Sequence, residues 1–152
     1  HDSGLWLEAE LGYVGGKPGA PAGAHIAGVR TDPVEAAAFV AATNVDALAV
    51  AVGSSHAMTR RTARLDVDLI AQLRAAVDVP LVLHGSSGVP IPELRASVAA
   101  GMTKINVGTA LNIAFSDGVR ASLGDSVDPR SYLARARDAV TECVTELLAG
   151  VC

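Results

Sequence analysis

His84, followed by Gly85-Ser86-Ser87-Gly88, comes directly after the apolar run Pro80-Leu81-Val82-Leu83, and His56 follows a second apolar run, Ala47 to Val52, through Gly53-Ser54-Ser55. An imidazole in such a place is a candidate acid/base group or metal ligand, and a Gly/Ser loop beside it offers backbone N–H groups to an anion. A third run, Lys104-Ile105-Asn106-Val107-Gly108-Thr109, ends in small and hydroxyl residues in place of histidine. One histidine at a strand end is ordinarily a hydrogen-bonding member of its own loop. Two at equivalent points of successive units favour one shared metal, since zinc takes N, S or O ligands at about 2.0–2.1 Å and can keep a position open for substrate. His56 and His84 are therefore the candidate metal ligands, with the third ligand coming from Glu8, Glu10 or residues outside this sequence. His1 and His25 are read as structural or solvent-facing.

These residues need elements that bring them together. Asp32 to Gly53, Asp66 to Gly85 and Pro90 to Gly108 each read as an amphipathic helix, a short turn, a strand of β-formers and a Gly-bearing loop. Thr31-Asp32-Pro33 with Glu35 is a helix start: a cap residue, a Pro near the first helical position and an acidic side chain that the macrodipole favours. The next helices begin at Asp66 and near Pro90 or Pro92. Leu5 to Gly12, alternating apolar and acidic residues, reads as an earlier strand with one polar face, and two further helices are expected at about Ala110–Ser122 and Pro129–Ala149. Strand–helix alternation implies a parallel sheet, whose strand-end loops converge on one face. Four such strands equal half of an eight-stranded (β/α) barrel, the TIM barrel, an α/β fold that typically takes about 250 residues. Alone, such a half leaves two sheet edges and an inner face uncovered. The expectation is a single partial domain over residues 1–152, and a chain that opens on His1 is expected to begin inside a longer protein.

With 152 residues, 50% apolar and only 3% aromatic, the core must be built from Ala, Val and Leu. A net charge of −4 and a pI near 5.5 give no electrostatic footprint for nucleic acid, and the cluster Arg60-Arg61-Thr62-Ala63-Arg64 is too short to supply one. No apolar stretch approaches the roughly 20 residues that span a bilayer, so no membrane partner is expected. Cys143 and Cys152 have no Cys-x-x-Cys spacing, which points away from a disulfide framework and towards a reducing cytoplasm.

Gly85-Ser86-Ser87-Gly88 and Asn106-Val107-Gly108-Thr109 each precede a helix, and the loops after the last two strands are the usual phosphate site of a (β/α) barrel. Together with Leu7-Glu8-Ala9-Glu10-Leu11-Gly12-Tyr13-Val14-Gly15-Gly16, Thr31-Asp32-Pro33, Gly53-Ser54-Ser55-His56, Leu83 to Pro90 and the tail Asp128 to Leu133, these motifs resemble, in order and spacing, the class II zinc-dependent ketose-bisphosphate aldolases. The similarity extends over nearly the whole chain.

The resemblance implies the carboxyl-terminal half of an aldolase barrel, with zinc as cofactor and a monovalent cation as a further candidate. His56 and His84 look like the second and third zinc ligands. The first ligand histidine and the acid/base aspartate belong to the family's amino-terminal half, so no catalytic residue is assigned within this chain. Ala57, Gly85, Ser86, Ser87, Asn106, Val107, Gly108 and Thr109 match the family's positions for dihydroxyacetone phosphate. The implied reaction is reversible cleavage of fructose or tagatose 1,6-bisphosphate to dihydroxyacetone phosphate and glyceraldehyde 3-phosphate, by a homo-oligomer when full length. The chain also departs from the family. Ala57 stands where Gly is common, Gly85-Ser86-Ser87 replaces Gly-Gly-Ser, Lys17 and Pro18 replace acidic residues of the mobile loop, and Ala110 replaces an acidic residue. Those changes bear on substrate choice and on the proton route. Arg60 falls where many members carry a basic residue near the phosphate. The alternatives are a sugar-phosphate-binding barrel without catalysis, which would not need both histidines, and a metal-free barrel enzyme, which zinc content would exclude.

Overall fold

In the computed structural model, which describes residues 1–16, 30–124 and 127–151, the strands β1 (Glu8–Leu11), β2 (Ala47–Val50), β3 (Leu81–Leu83) and β4 (Met102–Ile105) form one parallel sheet in the order β1-β2-β3-β4. Helices α1 (Pro33–Thr43), α2 (Val67–Ala76) and α3 (Ile91–Ala99) connect successive strands, and α4 (Thr109–Ser122) and α5 (Pro129–Val151) follow β4. This is the α/β arrangement of half a (β/α) barrel. The strands are shorter than the apolar runs that announced them, because the residues beyond each end turn into loops. The last strand starts at Met102 and stops at Ile105, so Asn106 to Gly108 form its loop and Thr109 opens α4. Helix α5 runs two residues past Ala149.

The helix starts follow their local chemistry. Asp32 caps α1 by accepting from the N–H groups of Val34 and Glu35, with Pro33 at the first helical position, and Asn44 ends it in the left-handed conformation. Asp66 caps α2 by accepting from Leu69 N–H. Thr31 does something different: its hydroxyl donates to Leu11 O at 2.6 Å and accepts from Ala51 N at 2.8 Å, and the buried side chain thereby ties the end of β1 to the end of β2.

Alternation along the strands divides the sheet into two unlike faces. Leu48, Val50, Leu81, Leu83 and Met102 turn to the helices and join Ile70, Leu73, Val89 and Leu94 in one fully buried apolar core. Ala47, Ala49 and Val82 turn to the opposite face, the bore of the half barrel, where they form a separate small cluster. The register in β4 is irregular: Leu81 pairs with Met102 but Val82 pairs with Lys104, which leaves Thr103 as an extra residue. Such a bulge carries the following side chains to the other face, so Lys104 stands over the bore and Ile105 over the helices. Helices α4 and α5 pack as a hairpin, and Gly118 permits their close approach, since a Cβ there would lie 2.7 Å from the Cα of Ala136.

Candidate metal and phosphate site

The loops after β2, β3 and β4 open onto one concavity of about 360 Å³, within the usual size of a small-molecule site. His56 and Ala57 enter it from the β2 loop; His84, Gly85 and Ser87 from the β3 loop; Asn106, Val107, Gly108 and Thr109 from the β4 loop. Nine of the ten residues assigned to the site from the sequence therefore line one cavity. The tenth, Ser86, is buried, and its hydroxyl donates a short hydrogen bond to Asn106 O, so it links the β3 loop to the β4 loop from beneath instead of facing the cavity. Ser55 lines the cavity as well and was missed; its place beside His56 was the available signal.

The two imidazoles meet. Their ring centroids lie 6.0 Å apart with planes inclined at 53°. Ligand atoms of Glu10, His56 and His84 all fall within 4.8 Å of one another. Donors of a tetrahedral zinc stand about 3.3–3.4 Å apart, so side-chain adjustment of roughly an ångström gathers the three. Two imidazoles and one carboxylate form an N/N/O donor set that suits zinc. Of the two acidic candidates for third ligand, Glu10 lies within the donor cluster and Glu8 outside it. Glu8 instead accepts from His84 Nε2 at 3.0 Å through one oxygen and from Lys104 Nζ at 2.8 Å through the other, while His84 Nδ1 is 2.6 Å from Glu10 Oε2. Burial pushes the Glu8 carboxyl up, but the Lys104 ammonium and the His84 ring together more than offset this and hold it below its ordinary value.

The loop backbones are held at specific points. His56 N–H donates to Gly15 O at 2.6 Å, and Asn106 N–H to Leu83 O at 2.9 Å, so both loops continue the sheet's pairing past its strands. Gly85 has φ +67°, and a Cβ added there would stand 2.6 Å from the carbonyl carbon of Ser55; this contact requires glycine. Ser87 Oγ accepts from Ala110 N at 3.0 Å, fixing the Gly/Ser loop to the first turn of α4. Ala57, at the position where the resemblance expects glycine, also has positive φ, 57°, and an exposed methyl at the cavity wall.

Other residues fall outside this cluster. His1 is exposed, with Nε2 2.9 Å from Asp46 Oδ2. Arg60 is exposed and is not part of the cavity wall. His25, Lys17 and Pro18 lie outside the described residues.

The sequence profile of fructose-bisphosphate aldolase class-II matches residues 1–151. The chain belongs to this family. Among solved structures, the YdjI aldolase of Escherichia coli K12 is 32% identical over 99% of the chain with a TM-score of 0.79. A candidate fructose-1,6-biphosphate aldolase from Coccidioides immitis is 28% identical over 97% with a TM-score of 0.76. A third, the fructose-bisphosphate aldolase of Campylobacter jejuni, shares the fold at 21% identity over 99% with a TM-score of 0.74. The chain covers 50%, 53% and 53% of those proteins respectively, so it corresponds to about half of a class II aldolase. No helix among the described residues is long and apolar enough to cross a membrane.

Proposed function

We propose that this chain is the carboxyl-terminal half of a zinc-dependent ketose-bisphosphate aldolase, and that it supplies two zinc-binding histidines and the phosphate cradle for the reversible cleavage of fructose or tagatose 1,6-bisphosphate to dihydroxyacetone phosphate and glyceraldehyde 3-phosphate. The observation that carries this reading is the meeting of Glu10, His56 and His84 at the mouth that the β3 and β4 loops also line. Zinc bound there supplies a Lewis acid for a ketone oxygen.

The remaining roles belong to the chain itself. Ser87, Thr109 and the loop amides from Gly85 to Ser87 and Val107 to Thr109 hold the phosphate, aided by the N-terminus of α4. Holding the phosphate fixes the distance from the ketone to the metal-binding imidazoles, and this positioning is where binding energy turns into rate. Ala57 and Ser86 adapt the wall and floor of the cradle. The acid/base aspartate and the remaining zinc histidine come from the amino-terminal half. The reading includes a monovalent cation, a homo-oligomeric whole protein and a cytoplasmic setting.

In the full-length enzyme, His84→Ala is expected to abolish zinc-dependent cleavage while leaving the fold intact. The isolated 152-residue chain, lacking an acid/base group of the kind that commonly contributes 10²–10⁴-fold, is expected to show no turnover. Zinc-dependent cleavage by that chain alone, or undiminished cleavage by the His84→Ala enzyme, would contradict the assignment.

A further inference from the structure

We propose that Glu8 and Lys104 are positioning residues that set the His84 ring, with Nε2 turned to Glu8 and Nδ1 presented to the metal. The proposal rests on the metal-site reading above and extends it to two residues outside the donor cluster.

The ring's two nitrogens face different partners. Nδ1 lies 2.6 Å from Glu10, which belongs to the donor cluster, and Nε2 lies 3.0 Å from Glu8, which does not. A neutral imidazole carries one N–H. Both nitrogens stand at hydrogen-bonding distance from a carboxylate oxygen, so an ion among Glu10, His56 and His84 would take the place of the Nδ1 proton, and the N–H that remains on Nε2 is donated to Glu8; the opposite tautomer would aim an N–H at the ion. Glu8 can do this only if its own carboxylate is held, and Lys104 Nζ holds the other oxygen at 2.8 Å.

Two features of the sheet make this chain of contacts possible. Glu8 and Lys104 stand on the two outer strands of the four-stranded sheet, and the bore between them is floored by Ala47, Ala49 and Val82, whose small side chains leave room for the charged groups to meet. The bulge at Thr103 is the second. Without it Lys104 would pair opposite Leu83 and face the helices, where an ammonium would have to be buried. With it, Lys104 pairs with Val82 and reaches Glu8. The lysine side chain is 45% exposed, and a pair so open to solvent contributes about 0–1 kcal/mol to stability. Stability is therefore a poor account of why a strand irregularity delivers a lysine to this place, whereas orientation of a metal ligand is a sufficient one.

The test uses the full-length enzyme and its variants Glu8→Gln, Lys104→Met and Lys104→Arg. It reads zinc affinity by chelator competition, the His84 ring by nitrogen NMR of the zinc form, and the melting midpoint. Loss of a partner that orients a ligand histidine typically weakens metal binding by about 10- to 100-fold. Glu8→Gln is expected to fall in that range, Lys104→Met to weaken binding less, and Lys104→Arg to restore it, with midpoints within about 4 °C of the parent. The parent spectrum is expected to show the proton on Nε2 and the metal on Nδ1. Parent-like zinc affinity in both Glu8→Gln and Lys104→Met, or a metal on Nε2, would overturn the assignment while leaving the metal site standing. A parent that binds no zinc would overturn both. Should Glu8→Gln fail to fold, the exposed Lys104 variants and the parent spectrum still decide.

Discussion

The two faces of the one parallel sheet are built on opposite principles. Towards the helices, Leu48, Val50, Leu81, Leu83 and Met102 are sealed in a continuous apolar core, where each large side chain contributes about 1.5–3 kcal/mol through burial. Towards the bore, Ala47, Ala49 and Val82 are small, and the side chains of size are charged or ionisable: Glu8, Glu10, His84 and Lys104. Apolar burial is therefore concentrated on one face and ionisable side chains on the other. The two are joined at the strand ends, where loops that start in the core carry groups into the cavity. Substitutions should separate accordingly.

The largest effect is expected on the helix face. Leu83→Ala empties part of a fully buried position and should destabilise the fold by about 2–5 kcal/mol, lowering the melting midpoint by roughly 5–15 °C. Calorimetry on the variant checks this, and a loss below about 1 kcal/mol would mean that the core does not carry the fold. At the join, Gly85→Ala should cost about 1–3 kcal/mol, because a side chain must adopt positive φ and its methyl would press on the Ser55 carbonyl. It should also weaken binding of dihydroxyacetone phosphate by at least about tenfold, which titration calorimetry would read. Full phosphate affinity in this variant would separate the loop from the ligand.

Smaller effects should appear on the outer layer. Glu93 accepts from Leu65 N–H and from Arg64, and these two contacts, in that order, hold its carboxyl below the ordinary 4.5. A depressed folded-state value means that the stabilisation is present above pH 4.5 and is lost as pH falls through the lower value. Glu93→Gln should cost about 1 kcal/mol at pH 7, and the gap between variant and parent should narrow as pH falls below 4.5 in melts across that range. The smallest change belongs to Ala57→Gly. Relief of the left-handed backbone and the greater freedom of an unfolded glycine nearly cancel, so stability should stay within about 1 kcal/mol of the parent. A larger loss would show that the Ala57 methyl is a packing group instead of an exposed wall.

Much of this division was legible in the sequence. His56 and His84 stood out because each closes an apolar run, and runs that end in Gly/Ser loops place their next polar residue at the mouth of a parallel sheet. Asp32 and Asp66 were readable as helix starts, since capping is decided by a few consecutive residues. The acidic alternation of Glu8 and Glu10 marked a polar sheet face. What lay hidden depends on pairing between distant strands. The bulge at Thr103 leaves no local trace in Met102-Thr103-Lys104-Ile105, so nothing announced that Lys104 would turn from the helices to the bore. Likewise Thr31 reads as part of a cap, but its hydroxyl joins β1 to β2, and Ser86 reads as a ligand contact, but its hydroxyl is spent on Asn106 O. Both are hydroxyl groups whose partners become neighbours only when the sheet forms.

The measurement that bears most directly on the bore as a metal centre is diffraction from zinc-grown crystals of the full-length enzyme, recorded above and below the zinc absorption edge. One anomalous peak is expected about 2.0–2.2 Å from a His56 nitrogen, from His84 Nδ1, from a Glu10 oxygen and from the histidine that the amino-terminal half supplies. An empty bore, or a zinc bound elsewhere with His56 and His84 uncoordinated, would contradict the account.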